Sequence, residues 1–201
     1  MIEYSKLYEK IGNYYDVLVK RHGHNHRACD YGRYESQIEK YRVLSEVMPL
    51  NGKSVLDVGC GFGDYVDYLN DKYINVRYTG VDISKVMVEE ARRLHPEKDI
   101  RQLNILDKNP GKYDLVTANG IFYLLGDDAP VLTKILVERM YELANHAVAF
   151  NCLSSWAKDK EKGEYYADPL EVLDLCLSIT QRIVLRHDYH PRDFAIYLYK
   201  D

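Results

Sequence analysis

The residues with the clearest chemical meaning lie in a glycine-rich turn and at the end of the strand that follows it. A carboxylate precedes three alternating glycines in this turn, in the order Asp57, Gly59, Gly61 and Gly63. Glycine lets the backbone adopt positive φ and approach a ligand closely. A second apolar run ends at Asp82, where an acidic side chain can accept hydrogen bonds from both hydroxyls of a ribose. The pattern predicts a site for an adenosine compound.

The glycine spacing narrows the choice of ligand. Dinucleotide-binding enzymes usually carry Gly-x-Gly-x-x-Gly, because a pyrophosphate rests on the helix N-terminus that follows the turn. Here the spacing is Gly-x-Gly-x-Gly, with Asp57 two residues before the first glycine. A carboxylate at that position would repel a pyrophosphate and would suit a ligand that carries an ammonium group.

With these landmarks, the sequence from Val55 to the C-terminus resembles the class I S-adenosylmethionine-dependent methyltransferases. The resemblance implies that S-adenosyl-L-methionine is the cofactor. It places the glycine turn and Asp57 at the methionine moiety and Asp82 on both ribose hydroxyls. Capping of the turn's own amides is the alternative role for Asp57, and a nucleotide-free α/β domain is the alternative for the fold.

Further cofactor contacts are implied after the second and third strands. Ile83 and Met87 would pack on the adenine, with plain core packing as the alternative. The family commonly has an aspartate that accepts the adenine amino proton, and here Asn104, followed by Ile105, occupies that place. An asparagine carbonyl accepts the same bond without adding charge. Asp107 is the acceptor if the register differs.

Two other segments are expected at the cofactor. Asn119, after the fourth strand, would line the sulfonium and the reacting methyl group. Tyr14, Tyr31 and Gln37, from the N-terminal helices, would close over the cofactor, and aromatic packing is the other explanation for the two tyrosines.

Methyl transfer needs a general base only when the acceptor must lose a proton, as an alcohol or phenol does. His187 and His190 follow the sixth strand, whose C-terminal end is expected at the rim of the site. Histidine titrates near neutral pH, so both are candidate bases. A solvated hairpin turn is the alternative for this segment.

Aromatic residues near the same rim are candidate walls for the acceptor, because loops on a rigid scaffold often provide specificity. Plain packing is the alternative for each of them. The four candidates are Tyr123, Trp156, Tyr165 and Tyr166.

Alternating strand and helix patterns must position these residues. Such alternation predicts parallel βαβ units. Residues 182–187 and 194–199 are two apolar runs with only six residues between them, too few for a crossover helix, so the last two strands are expected to be antiparallel. The other strand candidates are Ser54–Val58, Val76–Val81, Ile100–Leu103, Asp114–Ala118 and Ala147–Asn151.

These patterns predict an α/β fold of one domain over residues 1–201. We expect a Rossmann-like three-layer sandwich with a mostly parallel seven-stranded sheet, an antiparallel last strand and additional N-terminal helices. Residues 1–50 would form a helical lid, including a helix over 34–48, and residues 51–201 the cofactor-binding core.

Charge and composition bear on partners and location. Net charge is −4, from 27 basic and 31 acidic residues, and no segment is strongly basic, so a nucleic-acid partner is not expected. No signal peptide or 18-residue apolar span is evident, which predicts a cytoplasmic protein without membrane contact. The four cysteines form no close pair and are expected to be reduced. Nothing in the sequence specifies an oligomeric state.

A metal site is not expected. His22, His24 and His26 alternate and would share one face of a strand, as metal ligands can. The flanking Gly23 and arginines favour a polar loop between helices, which would serve as a lid or contact an anion.

The predicted function is methyl transfer from S-adenosyl-L-methionine to an oxygen or nitrogen of a small-molecule acceptor, by in-line displacement. No Asn/Asp-Pro-Pro-Tyr tetrad follows the fourth strand, where Ala118-Asn119-Gly120-Ile121 stands instead. The alternatives are methylation of a protein or carrier-bound side chain, and a non-catalytic module that binds S-adenosylmethionine or its demethylated product.

Overall fold

The computed structural model describes residues 4–200 and contains a seven-stranded sheet with helices on both faces. The α-helices within these residues are α1 (Ser5–His22), α2 (Tyr34–Ser45), α3 (Asp64–Lys72), α4 (Lys85–Leu94), α5 (Ala129–Leu143) and α6 (Pro169–Leu177). The strands are β1 (Ser54–Val58), β2 (Arg77–Asp82), β3 (Asp99–Gln102), β4 (Tyr113–Ala118), β5 (Ala144–Leu153), β6 (Ile183–Arg186) and β7 (Asp193–Tyr199).

The strand order is β3-β2-β1-β4-β5-β7-β6. Strands β1 to β5 pair in parallel, and β7 lies antiparallel between β5 and β6. The predicted fold class is therefore confirmed, including the antiparallel pairing of the last two strands.

Alternation along the strands builds a core on each face of the sheet. In β1, Leu56 and Val58 pack in the core beneath α5 and α6, whereas Val55 packs in the core beneath α2, α3 and α4. Successive side chains of a strand point to opposite faces, which is why one apolar strand supports both layers. This double burial holds the carboxyl ends of β1, β2 and β4 in one rigid row.

Helix starts and stops follow local chemistry. Ser84 caps α4 by accepting from Met87 N, and Asp168 caps α6 by accepting from Leu170 N. Several predicted boundaries were wrong by one to three residues. The helix predicted over 34–48 ends at Ser45, ahead of Pro49, because a proline disfavours helical backbone in the residue before it. Strand β5 runs on to Leu153, since it stays paired with β7 up to Asp193.

Helix α1 crosses the carboxyl ends of the strands. Its Leu7 and Ile11 pack against the core under α5, and Tyr15 and Leu18 pack with Met87. No helix within residues 4–200 is long and apolar enough to cross a membrane.

Candidate functional site

An open cavity with about 1050 Å³ of free space lies between α1 and the carboxyl ends of β1, β2 and β4. Ligands of open α/β sheets bind at this edge, where the strand order reverses. The wall contains most of the predicted cofactor residues, namely Asp57, Gly59, Gly61, Asp82, Ile83, Met87, Asn104, Ile105, Asn119, Tyr31 and Gln37. The fold thus brings together residues from β1, β2, the segments after β3 and β4, and the N-terminal region.

The glycine turn adopts the backbone that its sequence predicts. Gly59, Gly61 and Gly63 have φ of 74°, 54° and 80°, a region that other residues rarely enter. Gly59 N and Cys60 N donate to the carbonyl of Val81, at 2.8 and 3.1 Å, and so fix the turn against β2. Gly63 caps α3 but is not in the cavity wall, and a Cβ there would lie 3.1 Å from the His95 ring.

Asp82 is oriented by the backbone around it. Its Oδ2 accepts from Gly61 N at 2.9 Å and its Oδ1 accepts from Ser84 N at 2.8 Å. A carboxylate offers about four acceptor positions, so each oxygen keeps one for a ligand. Burial raises the pKa of Asp82, while the backbone N–H donors lower it. The two remaining positions match the two hydroxyls of a ribose.

Asp57 lies deeper in the same wall. The residue is 4% exposed, and its carboxylate accepts from Tyr78 Oη at 2.8 Å and from Thr117 Oγ1 at 3.4 Å. Burial raises the pKa of Asp57 to about 7, and the nearby Asp82 charge adds to this rise. The alternative role predicted for Asp57, capping of the turn's amides, receives no support, because its hydrogen bonds go to neighbouring side chains.

Asn119 carries an unused donor. Its Oδ1 accepts from Asn151 Nδ2 at 2.7 Å, and Asn151 Oδ1 accepts from Gly120 N at 2.8 Å. Among the described residues, the buried Asn119 Nδ2 finds no hydrogen-bond partner. A buried donor of this kind costs free energy unless a ligand satisfies it.

The segment after β3 forms an Asx turn. Asn104 Oδ1 accepts from Leu106 N at 3.0 Å, while Asn104 and Ile105 both line the cavity. Asp107 lies in an adjoining open groove beside Asn104 and is absent from the main wall. This placement favours Asn104 over Asp107 as the predicted adenine contact.

Helix α1 contributes wall residues that the sequence analysis missed. Tyr8, Ile11 and Tyr15 line the cavity, while Tyr14 points outward and donates to Asp30 Oδ2 at 2.7 Å. The three lie three and four residues apart, which is one face of a helix. This spacing is visible in the sequence, and it predicts Tyr15, and not Tyr14, on the face that lines the cavity.

The candidate bases do not reach the cavity wall. His187 Nε2 lies 2.7 Å from Ser154 Oγ, and its ring stacks on Trp156 at 5.1 Å between centroids. His190 Nδ1 lies 2.6 Å from the Asp193 carboxylate, which also pairs with Lys40 at 2.9 Å. Strand β6 runs in the same direction as β5, so the hairpin lies at the same edge of the sheet as the cavity, but both imidazoles are engaged by neighbouring side chains.

The four predicted acceptor-wall residues also lie outside the wall. Trp156 is 51% exposed, and Tyr166 hydrogen-bonds Glu164 and Arg192. Tyr165 packs against the core under α5, and its N–H donates to the carbonyl of Tyr123. Tyr123 comes nearest to the cavity, because its hydroxyl lies 2.9 Å from that of the wall residue Tyr15.

The histidines near the end of α1 do not converge. His22 ends α1, His24 Nε2 lies 2.7 Å from Asp64 Oδ1, and His26 begins a short 3-10 helix. Within the described part of the chain, the side chains close enough to share a metal ion are Asp64, Asp67 and His95. All four cysteines are free, as expected.

Comparison with known proteins agrees with this geometry. The family model for a methyltransferase domain matches residues 56–147, from β1 into β5. This part of the chain is therefore a methyltransferase domain. It is 29% identical over 166 residues to the putative methyltransferase Rv1506c of Mycobacterium tuberculosis, a match that covers 79% of this chain and 98% of that one.

Two other matches are informative. The malonyl-[acyl-carrier protein] O-methyltransferase of Acetivibrio thermocellus is 32% identical over 117 residues, which span 54% of this chain but only 41% of that protein. The solved DhpI–SAM–HEP complex has the same fold, with a TM-score of 0.72 at 16% identity, covering 97% of this chain and 98% of that one. The sequence predictions of a methyltransferase enzyme and of its cofactor are confirmed.

The wall residues fit S-adenosylmethionine. Asp82 keeps free acceptor positions, and the glycine turn leaves room beside β1. The buried donor Asn119 Nδ2 has no partner among residues 4–200. The buried carboxylate of Asp57 complements a ligand that carries positive charge.

Substitution of two glycines with similar backbone angles distinguishes the effect of backbone strain on stability from the effect of a side chain placed in the cavity. Gly52 and Gly59 have φ of 71° and 74°, but a Cβ meets nothing within 4 Å at Gly52 and lies 2.3 Å from Ile121 Cγ2 at Gly59. We expect each Gly→Ala variant to lose about 1–2 kcal/mol of unfolding free energy. Only Gly59→Ala should weaken S-adenosylmethionine binding, by about 10-fold, because Ile121 is displaced within the cavity. Urea unfolding and calorimetric titration measure the two effects, and equal affinities in the two variants would contradict the role of Gly59.

Proposed function

We propose that this protein transfers the methyl group of S-adenosylmethionine to an oxygen or nitrogen of a small-molecule acceptor. The observation that carries the proposal is the cover over the cavity. Helix α1 lies across the strand ends, and its Tyr8, Ile11 and Tyr15 line the cavity, so a protein substrate would have to pass this helix to reach it. The remaining wall next to Asn119 is apolar, with Ile121, Leu125 and Leu136.

In this proposal the cofactor is held by residues of the strand ends. Asp82 accepts from both ribose hydroxyls, Asp57 pairs with the ammonium group, and Ile83 and Met87 flank the adenine. Asn104 contacts the adenine edge, and Tyr31 and Gln37 close over the cofactor. When bound, S-adenosylmethionine supplies a methyl group already activated on a sulfonium sulfur. The protein then has to exclude water and align the acceptor, and orientation alone contributes up to roughly 7–11 kcal/mol.

A carrier-bound acceptor is the second candidate. It is favoured by the relative from Acetivibrio thermocellus, whose name gives malonyl-[acyl-carrier protein] as its substrate. A thioester-linked acyl group would have to enter past α1, whereas a small acceptor needs only a transient opening.

Two measurements test the proposed function. We expect S-adenosylmethionine to bind and, at 100 times its Kd, to stabilise the fold by about 2.7 kcal/mol in thermal unfolding. We also expect S-adenosylhomocysteine release with members of a panel of small alcohols, phenols and amines. Release only with an acylated carrier protein would favour the second candidate, and absence of cofactor binding would contradict both.

A further inference from the structure

A chain of hydrogen bonds leads from the cavity to the surface. Tyr15, in the cavity wall, lies 2.9 Å from Tyr123 through their hydroxyl oxygens. Tyr123 Oη donates to Asp30 Oδ2 at 2.8 Å, and Asp30 is exposed. The three residues come from α1, from the segment after β4 and from the end of the short 3-10 helix, so the path depends on the packing of the N-terminal region against the segment after β4.

The Asp30 carboxylate fixes the direction of both hydrogen bonds in this series. A carboxylate can only accept a hydrogen bond, so the single hydroxyl hydrogen of Tyr123 is donated to Asp30. The bond between the two phenols must then be donated by Tyr15, whose own proton is thereby used. Toward the cavity, the Tyr15 oxygen is left with a lone pair and no hydrogen to give.

We propose that Tyr15, Tyr123 and Asp30 form a proton relay that selects a hydroxyl-bearing acceptor, a phenol or a similarly acidic alcohol. The inference rests on the methyl transfer proposed above and narrows its acceptor class. A hydroxyl can donate to the Tyr15 oxygen, whereas a carboxylate brings only lone pairs to it. An acceptor that is already ionised has no proton to pass on and gains nothing from the path.

The proton balance closes along these residues. As the acceptor oxygen takes up the methyl group, its proton passes to the Tyr15 oxygen. The proton of Tyr15 passes to Tyr123, and that of Tyr123 passes to the Asp30 carboxylate. Both phenols end neutral, Asp30 ends protonated, and its exposure lets the proton leave to water. Burial raises the pKa of Tyr15 and of Tyr123, so both carry their protons at neutral pH.

The test compares phenol with benzoate as probes of the complex with S-adenosylhomocysteine. By calorimetric titration, we expect phenol to bind the wild-type complex at least about 10-fold more tightly than benzoate, since an unpaired buried acceptor is costly. In Tyr15→Phe the two probes should bind within about threefold of each other. The affinity for S-adenosylhomocysteine should stay the same in both proteins.

Two further variants separate the relay from general packing. In Tyr123→Phe, the Tyr15 hydroxyl loses its hydrogen-bond partner and can donate its hydrogen into the cavity. Benzoate should therefore bind this variant more tightly than the wild type. Tyr14→Phe removes a hydrogen bond to the same Asp30 oxygen from outside the cavity and should keep the preference for phenol. A purely structural role for these tyrosines would not make a benzoate complex tighter.

Several results would overturn the relay. These are no phenol binding to the wild-type complex, benzoate binding as tightly as phenol, or an unchanged preference in Tyr15→Phe. A weaker S-adenosylhomocysteine complex in Tyr15→Phe would assign that hydroxyl to the cofactor instead. If the wild type binds no S-adenosylhomocysteine, the proposed function fails, and the same probe comparison on the free protein still decides the relay.

Discussion

Replacement of Asp82 by alanine is expected to weaken S-adenosylmethionine binding by about 100-fold or more. The carboxylate keeps two acceptor positions free for the ribose, and each hydrogen bond to a charged group contributes about 1.5–3 kcal/mol. The variant also removes the hydrogen-bond acceptors of Gly61 N and Ser84 N, so the glycine turn keeps only the bonds of Gly59 N and Cys60 N to Val81. Calorimetric titration measures the affinity, and urea unfolding measures the accompanying loss of stability.

Asp99 provides the matched control for this experiment. It begins β3 at the opposite end of the β2–β3 pair, opposite Thr79, and its carboxylate pairs with Arg101 on the surface. Asp99→Asn should leave the affinity for S-adenosylmethionine unchanged. If Asp82→Ala is folded and binds as tightly as Asp99→Asn, the ribose assignment is wrong.

The second large effect is a pH dependence of stability caused by Asp57. Burial raises the pKa of this carboxyl from 3.8 to about 7. In the unfolded chain the proton leaves near pH 4, whereas the folded protein keeps it up to about pH 7. Because the folded state binds more protons in this window, its stability falls as pH rises from about 4 to 7 and is constant above. Three pH units correspond to at most about 4 kcal/mol.

The variant Asp57→Asn isolates this contribution. Its amide oxygen still accepts from Tyr78 Oη but has no proton to lose, so the difference in unfolding free energy between wild type and variant should shrink or reverse between pH 4 and 7. Asp114 and Asp193 have lowered pKa values and act in the opposite direction, and Asp82, whose pKa burial also raises, is present in both proteins, so their contributions are shared by the two curves. Urea unfolding across this range measures the difference, and parallel curves for the two proteins would show that Asp57 titrates normally.

The same carboxyl links stability to cofactor binding. A ligand ammonium group favours the ionised form of Asp57, so S-adenosylmethionine binding at pH 6 should release a proton. Above pH 8 the carboxyl is already ionised and the release should vanish. The free energy lost from the fold on ionising Asp57 is thus partly recovered when the cofactor binds.

Much of the fold follows from local patterns. The alternation of apolar strands with helices predicted the parallel sheet. The six residues between the last two apolar runs are too few for a crossover helix and so predicted an antiparallel last pair. The glycine turn was equally readable, because positive φ at Gly59 and Gly61 is a backbone demand that only glycine meets without strain. Helix boundaries were less accurate, as at Ser45, where a nearby proline outweighs the helical period.

The cofactor side of the candidate site was predictable for the same reason. Its residues lie at or just after strand ends, which the sequence pattern predicts. Because neighbouring parallel strands end at the same edge of the sheet, the strand order brings these residues together, namely Asp57, Asp82, Asn104 and Asn119. The acceptor side was not predictable. The predicted acceptor-side residues follow strands that end at the cavity, yet their side chains contact other residues. The hydroxyl of Tyr123 lies against that of Tyr15, and Trp156 stacks on His187. His187 also contacts Ser154, and His190 contacts Asp193.

The sequence by itself determined the sheet, the glycine turn and the carboxylates that line the cavity, because each depends on backbone periodicity or on one residue's conformational freedom. Only the tertiary structure decided that α1 lies across the strand ends, that the histidines are engaged elsewhere, and that burial raises the pKa of Asp57. These properties depend on which side chains from distant segments meet and on how much water they exclude. Neither quantity is encoded in local spacing.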